Sequence, residues 1–182
     1  MPDPVPDVTL RAAVDSDALC IGVLATQVFL DTYATDGIRP SVAREVLEHF
    51  SPAAVSALLS SPHTRFIVAE RAGHLIGFAQ LSLGSVHELV PARPAAELKR
   101  LYVQQRFAGS GVGKALLREA EALAAGEGAV TLWLIVWAGN PRALAFYARR
   151  GYEELGVTSY VFESEQYETR VFARALQGKN AV

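Results

Sequence analysis

Residues 101–117 read LYVQQRFAGSGVGKALL, the most informative segment of the chain. A short apolar strand pattern runs into a loop with Gly109, Gly111 and Gly113, and a helix pattern follows directly. Glycines let backbone N–H groups approach a ligand closely, and a helix N-terminus carries a partial positive charge. All charged side chains from residue 98 to residue 118 are basic: Lys99, Arg100, Arg106, Lys114 and Arg118. The stretch therefore predicts a phosphate cradle in an α/β fold.

Three known phosphate motifs can be compared with this loop. A P-loop needs a glycine, four residues and then Gly-Lys-Ser/Thr, but Ala108 and Ala115 stand at its first and last positions. A dinucleotide fingerprint needs a third glycine where Lys114 stands. The pattern Gln/Arg-x-x-Gly-x-Gly/Ala is typical of the pyrophosphate loop of acyl-coenzyme A transferases. It matches at Gly111 and Gly113, with Ala108 in place of the Gln or Arg.

The composition indicates one folded domain over residues 1–182. The chain has 51% hydrophobic and 20% charged residues and a net charge of −2, which excludes an intrinsically disordered chain and favours no nucleic-acid partner. The single cysteine, Cys20, leaves no intrachain disulfide, and His49, His63, His74 and His87 have no metal-ligand spacing. With no long apolar run and an acidic, proline-rich start, we expect a soluble cytoplasmic protein that holds no metal and crosses no membrane.

The rest of the chain alternates strand and helix patterns. Strands are predicted at 8–11, 65–70, 75–83, 97–103, 130–137, 152–162 and 167–175, and helices at 15–33, 41–50, 53–59, 113–125 and 140–150. The first helix is expected to have an apolar side made of Leu19, Val23, Leu24, Val28 and Leu30. These elements predict an α/β domain with a mixed, mostly antiparallel central sheet flanked by helices, a flexible leader at 1–7 and a flexible tail at 177–182.

A second motif follows the strand at 130–137. Residues 140–147 read NPRALAFY, and Gly151-Tyr152 comes shortly after. Together with the glycine loop and the order of elements over most of the chain, it resembles the GNAT superfamily of N-acetyltransferases. The fragments at 97–103, 133–137 and Thr32-Tyr33 are most similar to the bacterial PaiA-type polyamine acetyltransferases.

This resemblance implies acetyl-CoA as the co-substrate. It places acetyl-CoA against the following residues: Leu101, Tyr102, Val103, Ala108, Gly109, Ser110, Gly111, Val112, Gly113, Lys114, Asn140 and Tyr147. Ala108 removes one expected pyrophosphate contact, which Arg106 is able to replace. Asn140 has the alternative role of a helix N-cap only.

The resemblance also implies a mechanism of direct attack by a primary amine. An alkylamine has a pKa of roughly 10.4, so a base must take its proton at neutral pH. Glu97 is the candidate base, acting through water, and its alternative role is an ion pair with Lys99 or Arg100. Tyr147 is the candidate acid that protonates the leaving thiolate, and its alternative role is core packing.

The sequence says least about the amine acceptor. Family members bind it near the first helices and the hairpin, where Asp31, Tyr33 and Glu88 are candidates to receive a small amine such as a polyamine, or a peptide amine. A catalytically silent acyl-CoA-binding regulatory module remains the alternative function. A homodimer is a further expectation, because dimers are common in the family.

Overall fold

The computed structural model describes residues 7–162 and 165–177. The predicted leader and tail therefore lie outside the described residues, except for Asp7 and Gln177. The strands are β1 (Val8–Ala12), β2 (Thr64–Arg71), β3 (His74–Leu83), β4 (Ala95–Val103), β5 (Thr131–Trp137), β6 (Glu153–Phe162) and β7 (Glu165–Ala175). The helices are α1 (Ala18–Tyr33), α2 (Pro40–His49), α3 (Pro52–Leu59), α4 (Val112–Gly126) and α5 (Pro141–Ala148).

The seven strands follow the order β1-β2-β3-β4-β5-β7-β6 in a mixed sheet. Strand β4 is parallel to β5, while β1–β2, β5–β7 and β6–β7 are antiparallel. The predicted α/β class and the mixed sheet are therefore confirmed. By contacts the chain divides into a first unit, Met1–Leu81 with Arg100–Ala120, and a second unit, Ser82–Lys99 with Glu121–Val182.

In the first unit, α1 packs through a face that differs from the predicted one. Leu19 and Val23 are 60% and 65% exposed, whereas Ile21 and Leu24 are buried. The reason is a close approach at Gly22, where an added Cβ would lie 2.3 Å from the carbonyl oxygen of Phe50. Because only glycine fits there, the face that contains Gly22 turns inward, and the prediction for Leu19 and Val23 was wrong.

The hairpin between β2 and β3 has the turn that its sequence favours. Ala72 and Gly73 connect the strands with φ of 49° and 76°. Two consecutive residues in the left-handed region match the twist of a two-residue hairpin, which is the connection that joins the strands predicted at 65–70 and 75–83.

In the second unit, β4 and β5 pair over a short register. Ala95, Ala96 and Glu97 lie opposite Thr131, Leu132 and Trp133, and the register ends with the Glu97–Trp133 pair. Trp133 lies in a buried cluster with Val90, Ala95, Val171 and Ala173. Glu97 is thus held on a strand whose neighbours are fixed by a tight apolar core.

The end of α4 also differs from the prediction. The helix is predicted to end at residue 125, but Gly126 is still part of it and is its last residue. The left-handed residue that follows the helix is Gly128, with φ of 89°. A helix commonly ends next to a glycine in this conformation, so the stop signal is Gly128.

Candidate active site

The glycine loop, defined here as residues 104–111, joins β4 to α4 in the first unit. A single 3₁₀ turn at Gln105–Phe107 opens it, and the N–H of Ala108 donates to the carbonyl of Gln105 at 3.0 Å. Gly109 and Gly111 then have φ of 83° and 95°, and nothing lies within 4 Å of the position of a Cβ on Gly109. Gly109 and Ser110 are exposed, so this part of the loop faces open space rather than packed side chains.

The first turn of α4 begins directly after this loop. Gly111 precedes Val112, and its carbonyl accepts the first helical hydrogen bond, from the N–H of Ala115 at 3.0 Å. The first four N–H groups of a helix have no partner within it, and Gly111 has no side chain to cap them. Lys114 is exposed in the same turn and adds positive charge. This helix start has the chemistry of an anion-binding site.

Arg106 changes how the sequence pattern is interpreted. Within the glycine loop, Gly109 and Gly111 are the glycines with positive φ, and Arg106 precedes Gly109 by three residues. The spacing Arg-x-x-Gly-x-Gly is therefore also present when it is counted from Arg106. Its exposed guanidinium lies 5.1 Å from the ring centre of Phe107. Arg106 is a candidate for the contact that Ala108 lacks.

Glu97 is a buried carboxylate on β4 in the second unit. It is 6% exposed, and its Oε2 lies 2.8 Å from the Nζ of Lys99. The ion pair named as its alternative role is thus present. Lys99 is itself 46% exposed, so its ammonium group stays in contact with solvent. Opposite Glu97, the indole Nε1 of Trp133 is buried and has no hydrogen-bond partner.

Asn140 begins α5 as a side-chain cap. Its Oδ1 accepts a hydrogen bond of 3.0 Å from the N–H of Ala143, and Pro141 occupies the first helical position. The side-chain oxygen satisfies one N–H of the first turn, and proline removes another. The predicted cap is confirmed, and the amide Nδ2 is the part of this side chain that the cap leaves unused.

Tyr147 lies at the other end of α5 and is buried, with 8% exposure. Its ring centre is 5.1 Å from that of Phe146 and 5.6 Å from that of Tyr152, both nearly edge to face. Tyr152 donates a hydrogen bond of 2.9 Å to Glu121, and burial together with that carboxylate raises the pKa of its phenol. The aromatic packing named as the alternative role of Tyr147 is therefore present, and it fixes the ring in place.

A cluster around Arg100 in the first unit was not predicted from the sequence. The guanidinium Nη1 donates to the buried Gln80 Oε1 at 2.6 Å and lies 5.0 Å from the ring centre of Phe50. Burial raises the pKa of the neighbouring Tyr102 phenol, and the charge of Arg100 opposes this shift. These contacts join residues far apart in the chain, and no local pattern indicates them.

Of the predicted acceptor residues, only Tyr33 joins this cluster. Its ring lies 4.7 Å from that of Phe29, and partial burial raises the pKa of its phenol while Arg100 opposes the shift. Asp31 is exposed two positions earlier on α1, where residues i and i+2 do not share a face. Glu88 is exposed in the second unit. The three residues therefore lie in different surroundings.

Within residues 7–162 and 165–177, no group of three or more His, Cys, Asp or Glu side chains is arranged to hold a metal ion. Over the same residues, no helix is long and apolar enough to cross a membrane.

Comparison with known proteins gives one consistent result. The acetyltransferase (GNAT) family matches residues 31–152. An uncharacterised N-acetyltransferase of Mycobacterium bovis is 30% identical over 142 residues, which cover 75% of this chain and 86% of that protein. The N-alpha-acetyltransferase RimI of Mycobacterium tuberculosis is 30% identical over 151 residues, which cover 82% of this chain and 81% of that protein.

Comparison of the fold with solved structures agrees with the comparison of sequences. The crystal structure of the PaiA N-acetyltransferase from Thermoplasma acidophilum in complex with coenzyme A superposes with a TM-score of 0.73 at 22% identity. The match covers 92% of this chain and 98% of that one, which supports the fold. The family match extends from α1 to the end of the α5 motif and includes the glycine loop. The chain therefore belongs to the GNAT family of acetyl-CoA-dependent N-acetyltransferases.

Proposed function

We propose that this protein transfers the acetyl group of acetyl-CoA to a primary amine by direct attack, with Glu97 as the base and Tyr147 as the acid. The observation that carries the proposal is the exposed glycine loop, in which Gly109 and Gly111 are left-handed directly before the start of α4 at Val112. Backbone N–H groups and the helix dipole favour a diphosphate there. Arg106 and Lys114 supply the nearby cationic side chains.

The acceptor amine must lose a proton before or during its attack on the thioester carbonyl. Its pKa in water is roughly 10.4, so at neutral pH it arrives mostly as an ammonium ion. In the proposed step a water molecule takes the proton and passes it to Glu97. Lys99 holds Oε2 of that carboxylate, which leaves Oε1 to receive the proton. Glu97 later returns this proton to solvent.

The amine nitrogen then forms the new C–N bond as the C–S bond breaks. The electron pair leaves with the sulfur as a thiolate, and Tyr147 gives it the phenolic proton. The second proton, which the nitrogen loses as the amide forms, passes to water, and water returns a proton to the Tyr147 phenolate, so the products are the amide and free coenzyme A. A positioned proton donor of this kind contributes about 10²–10⁴-fold to the rate. Packing against Phe146 and Tyr152 supports this role, because a fixed ring holds its hydroxyl in one place.

The thioester carbonyl needs a hydrogen-bond donor while negative charge develops on its oxygen. Backbone N–H groups at Leu101, Tyr102 and Val103 are the candidates. None of these residues belongs to the register of β4 with β5, which ends at Glu97. Asn140 is assigned a second contact, from its amide Nδ2 to the coenzyme.

Two classes of acceptor fit this proposal. A polyamine fits the similarity to a PaiA structure, and the exposed carboxylates Asp31 and Glu88 are separate candidates to receive one of its ammonium groups. A peptide α-amine fits the similarity to an N-alpha-acetyltransferase. Tyr33 is part of either site through its contact with the cluster of Arg100. A cytoplasmic location stays a prediction.

A silent acyl-CoA-binding module is the second candidate function. Ala108 favours it, because the side chain that grips pyrophosphate in the family pattern is absent at that position. Such a module needs no buried tyrosine on α5 and no buried carboxylate on β4, whereas this chain has both.

One assay separates the two functions. Release of free thiol from acetyl-CoA is followed with a panel of amines that includes a polyamine, an amino acid and a short peptide, beside calorimetric titration with coenzyme A. An acetyltransferase releases thiol only when an acceptor is present. Heat of binding without thiol release from any amine supports the silent module, and absence of both signals contradicts the proposed cofactor.

A further inference from the structure

Arg100 on β4 is a half-buried cation to which the proposed reaction gives no role. Its Nη1 donates to the Oε1 of Gln80 at 2.6 Å, and Gln80 is 4% exposed. The guanidinium carbon lies 5.0 Å from the ring centre of the buried Phe50. A neutral amide and an aromatic ring, all within the first unit, therefore hold this guanidinium group in place.

The partners of Arg100 differ from those of other arginines on the sheet. Arg11, Arg170 and Arg174 on β1 and β7 each form an ion pair with a carboxylate, at 2.7, 2.8 and 3.1 Å. Among the residues that the structure describes, Arg100 forms no ion pair with an aspartate or a glutamate. A charge that is partly removed from water is costly unless an opposite charge accompanies it, so this guanidinium is suited to an anion from outside the chain.

Two side chains around Arg100 fit the same interpretation. Burial raises the pKa of Tyr102, and the charge of Glu45 adds to this shift while that of Arg100 opposes it. The phenol of Tyr102 therefore keeps its proton at neutral pH and is able to donate a hydrogen bond to an anion. Glu45 itself approaches the Nδ1 of His49 on α2, at 3.8 Å, and not the guanidinium.

Arg100 also lies on the part of β4 that the proposed reaction uses. It directly precedes Leu101, the first of the three residues whose N–H groups are candidates to face the thioester carbonyl. The glycine loop follows these residues, and all of them belong to the first unit. On α1, the predicted acceptor residue Tyr33 is a neighbour whose phenol responds to the charge of Arg100. A ligand bound by Arg100 would thus lie beside the strand that carries the acetyl group.

We infer that Arg100 binds a carboxylate carried by the acceptor, so that the acceptor is an amine with an acidic group, such as an amino acid or an acidic peptide. Because Gln80 accepts from Nη1, the side of the guanidinium formed by Nε and Nη2 is left for the carboxylate. That side offers two parallel N–H groups, which match the two carboxylate oxygens. A polyamine would bring further positive charge to Arg100 and is expected to be a poor acceptor. This assignment rests on the proposed function, since it names the acceptor of the same reaction.

The first experiment compares amines that differ in the carboxylate alone. The sets are leucine with leucinamide and isopentylamine, γ-aminobutyrate with its carboxamide and propylamine, and the dipeptide amides alanyl-aspartate and alanyl-asparagine, with spermidine beside them. Thiol release from acetyl-CoA gives kcat/KM for each amine. In at least one set the acid is expected to exceed its carboxamide about tenfold or more, as for a hydrogen bond between charged groups. The set that shows the preference distinguishes a free amino acid from a peptide.

Substitutions then test whether Arg100 is the residue that recognises the carboxylate. Arg100→Gln removes the charge and is expected to abolish the preference for the acid. Gln80→Glu keeps the guanidinium but gives it a carboxylate partner within the chain, and it is expected to lower the preference at least severalfold. Arg71→Gln, at the exposed end of β2, is the matched control and is expected to keep the full preference. If Arg100 were only structural, kcat/KM would fall equally for the acid and its carboxamide, and their ratio would not change.

A binding measurement separates this inference from the proposed function. Calorimetry in the presence of coenzyme A gives the affinity of N-acetyl-leucine, N-acetyl-γ-aminobutyrate and the N-acetylated alanyl-aspartate amide. If one of these acids binds the unmodified chain and not Arg100→Gln, the carboxylate site is supported, and absence of thiol release from every amine would then contradict the proposed transfer alone. The inference is overturned if spermidine is the best acceptor, if Arg100→Gln leaves the ratio of acid to carboxamide unchanged, or if the acids neither react nor bind.

Discussion

Helices α4 and α5 both begin shortly after a strand of the sheet, but only α5 begins at a residue whose side chain caps the first N–H groups. The α5 start is closed by the chain itself, because Asn140 accepts the N–H of Ala143 and Pro141 has no N–H. The α4 start follows Gly111, which has no side chain, and the exposed Gly109 and Ser110. One helix start has a side-chain cap, and the other follows a residue that has no side chain to cap it.

This difference gives the two helices different roles in the proposed reaction. The α4 start binds the diphosphate of the cofactor, while α5 is a rigid support for Tyr147. Variants near α4 should then change the dissociation constant of acetyl-CoA, and variants along α5 should change the rate of the chemical step. The following predictions test that division, and the largest expected effect comes first.

Tyr147→Phe is expected to lower kcat at least about 10²-fold, because the leaving thiolate loses its proton donor. Acetyl-CoA affinity is expected to stay within a factor of about two, since the ring and its packing remain. Steady-state kinetics and calorimetry measure the two quantities. The matched control is Tyr152→Phe, which removes the neighbouring buried hydroxyl and its bond to Glu121. Equal kcat in both variants would remove Tyr147 from the mechanism.

Glu97→Gln is expected to lower turnover about tenfold at neutral pH. This loss of turnover is smaller than that expected for Tyr147→Phe, because water still accepts protons from the amine when the carboxylate is absent. The deficit should shrink as pH rises, since more of the amine then arrives neutral. The measurement is the pH dependence of kcat/KM. Glu88→Gln is the control, because it makes the same change from carboxylate to amide at an exposed position. A pH profile that superimposes on that of the unmodified enzyme would show that another group is the base.

Gly109→Ala is expected to weaken acetyl-CoA binding about tenfold, because a left-handed φ costs about 1–2 kcal/mol for a residue with a Cβ and the loop relaxes to avoid it. Gly128→Ala is the matched control: both glycines have positive φ, 83° and 89°, and both have open space around a Cβ. The two variants should lose similar thermal stability. A loss of affinity in both, or in neither, would contradict the role of the loop.

Arg106→Ala is expected to raise the dissociation constant of acetyl-CoA about two- to fivefold, as for an exposed ion pair. The effect should fade at high salt, because exposed charges are screened. Titrations at two salt concentrations measure it, with Arg71→Ala on the β2–β3 hairpin as the control. An affinity that does not depend on Arg106 at low salt would leave the loop backbone and Lys114 as the anion contacts.

The smallest effects are expected at Asn140, where two substitutions separate the helix cap from the proposed contact with the cofactor. Asn140→Ala is expected to lower the free energy of unfolding by about 1 kcal/mol through loss of the cap, while Asn140→Ser keeps an oxygen to accept the N–H. Both variants remove the amide Nδ2. A thermal melt reports the cap, and an acetyl-CoA titration reports the cofactor contact. If Asn140→Ser binds acetyl-CoA normally, Asn140 is a cap and nothing more.

Local sequence rules predicted the parts of the site that depend on neighbouring residues. The glycine loop, the start of α4 and the cap at Asn140 follow from residue types a few positions apart, and the structure contains each of them. The ion pair of Glu97 with Lys99 also joins neighbours and was named as an alternative. The boundaries of most helices and strands differ from the predicted ones by only one or two residues.

Other features depend on contacts between distant parts of the chain and were missed. The inward face of α1 is set by the approach of Gly22 to the backbone of Phe50, so the pattern of apolar residues wrongly placed Leu19 and Val23 on the inward side. The cluster of Arg100 with Gln80, Phe50 and Tyr102 likewise joins two strands, β3 and β4, and the end of α2. Nothing in the spacing of these residues shows that they meet.

The most direct test of the central claim compares acetyl-CoA with S-acetylpantetheine, which lacks the nucleotide and its diphosphate. Calorimetry measures the affinity of both ligands for the unmodified chain and for Gly109→Ala. If the loop before α4 grips the diphosphate, the unmodified chain prefers acetyl-CoA strongly and the variant loses much of that preference. An equal preference in the two proteins would show that the diphosphate lies elsewhere and would contradict the account.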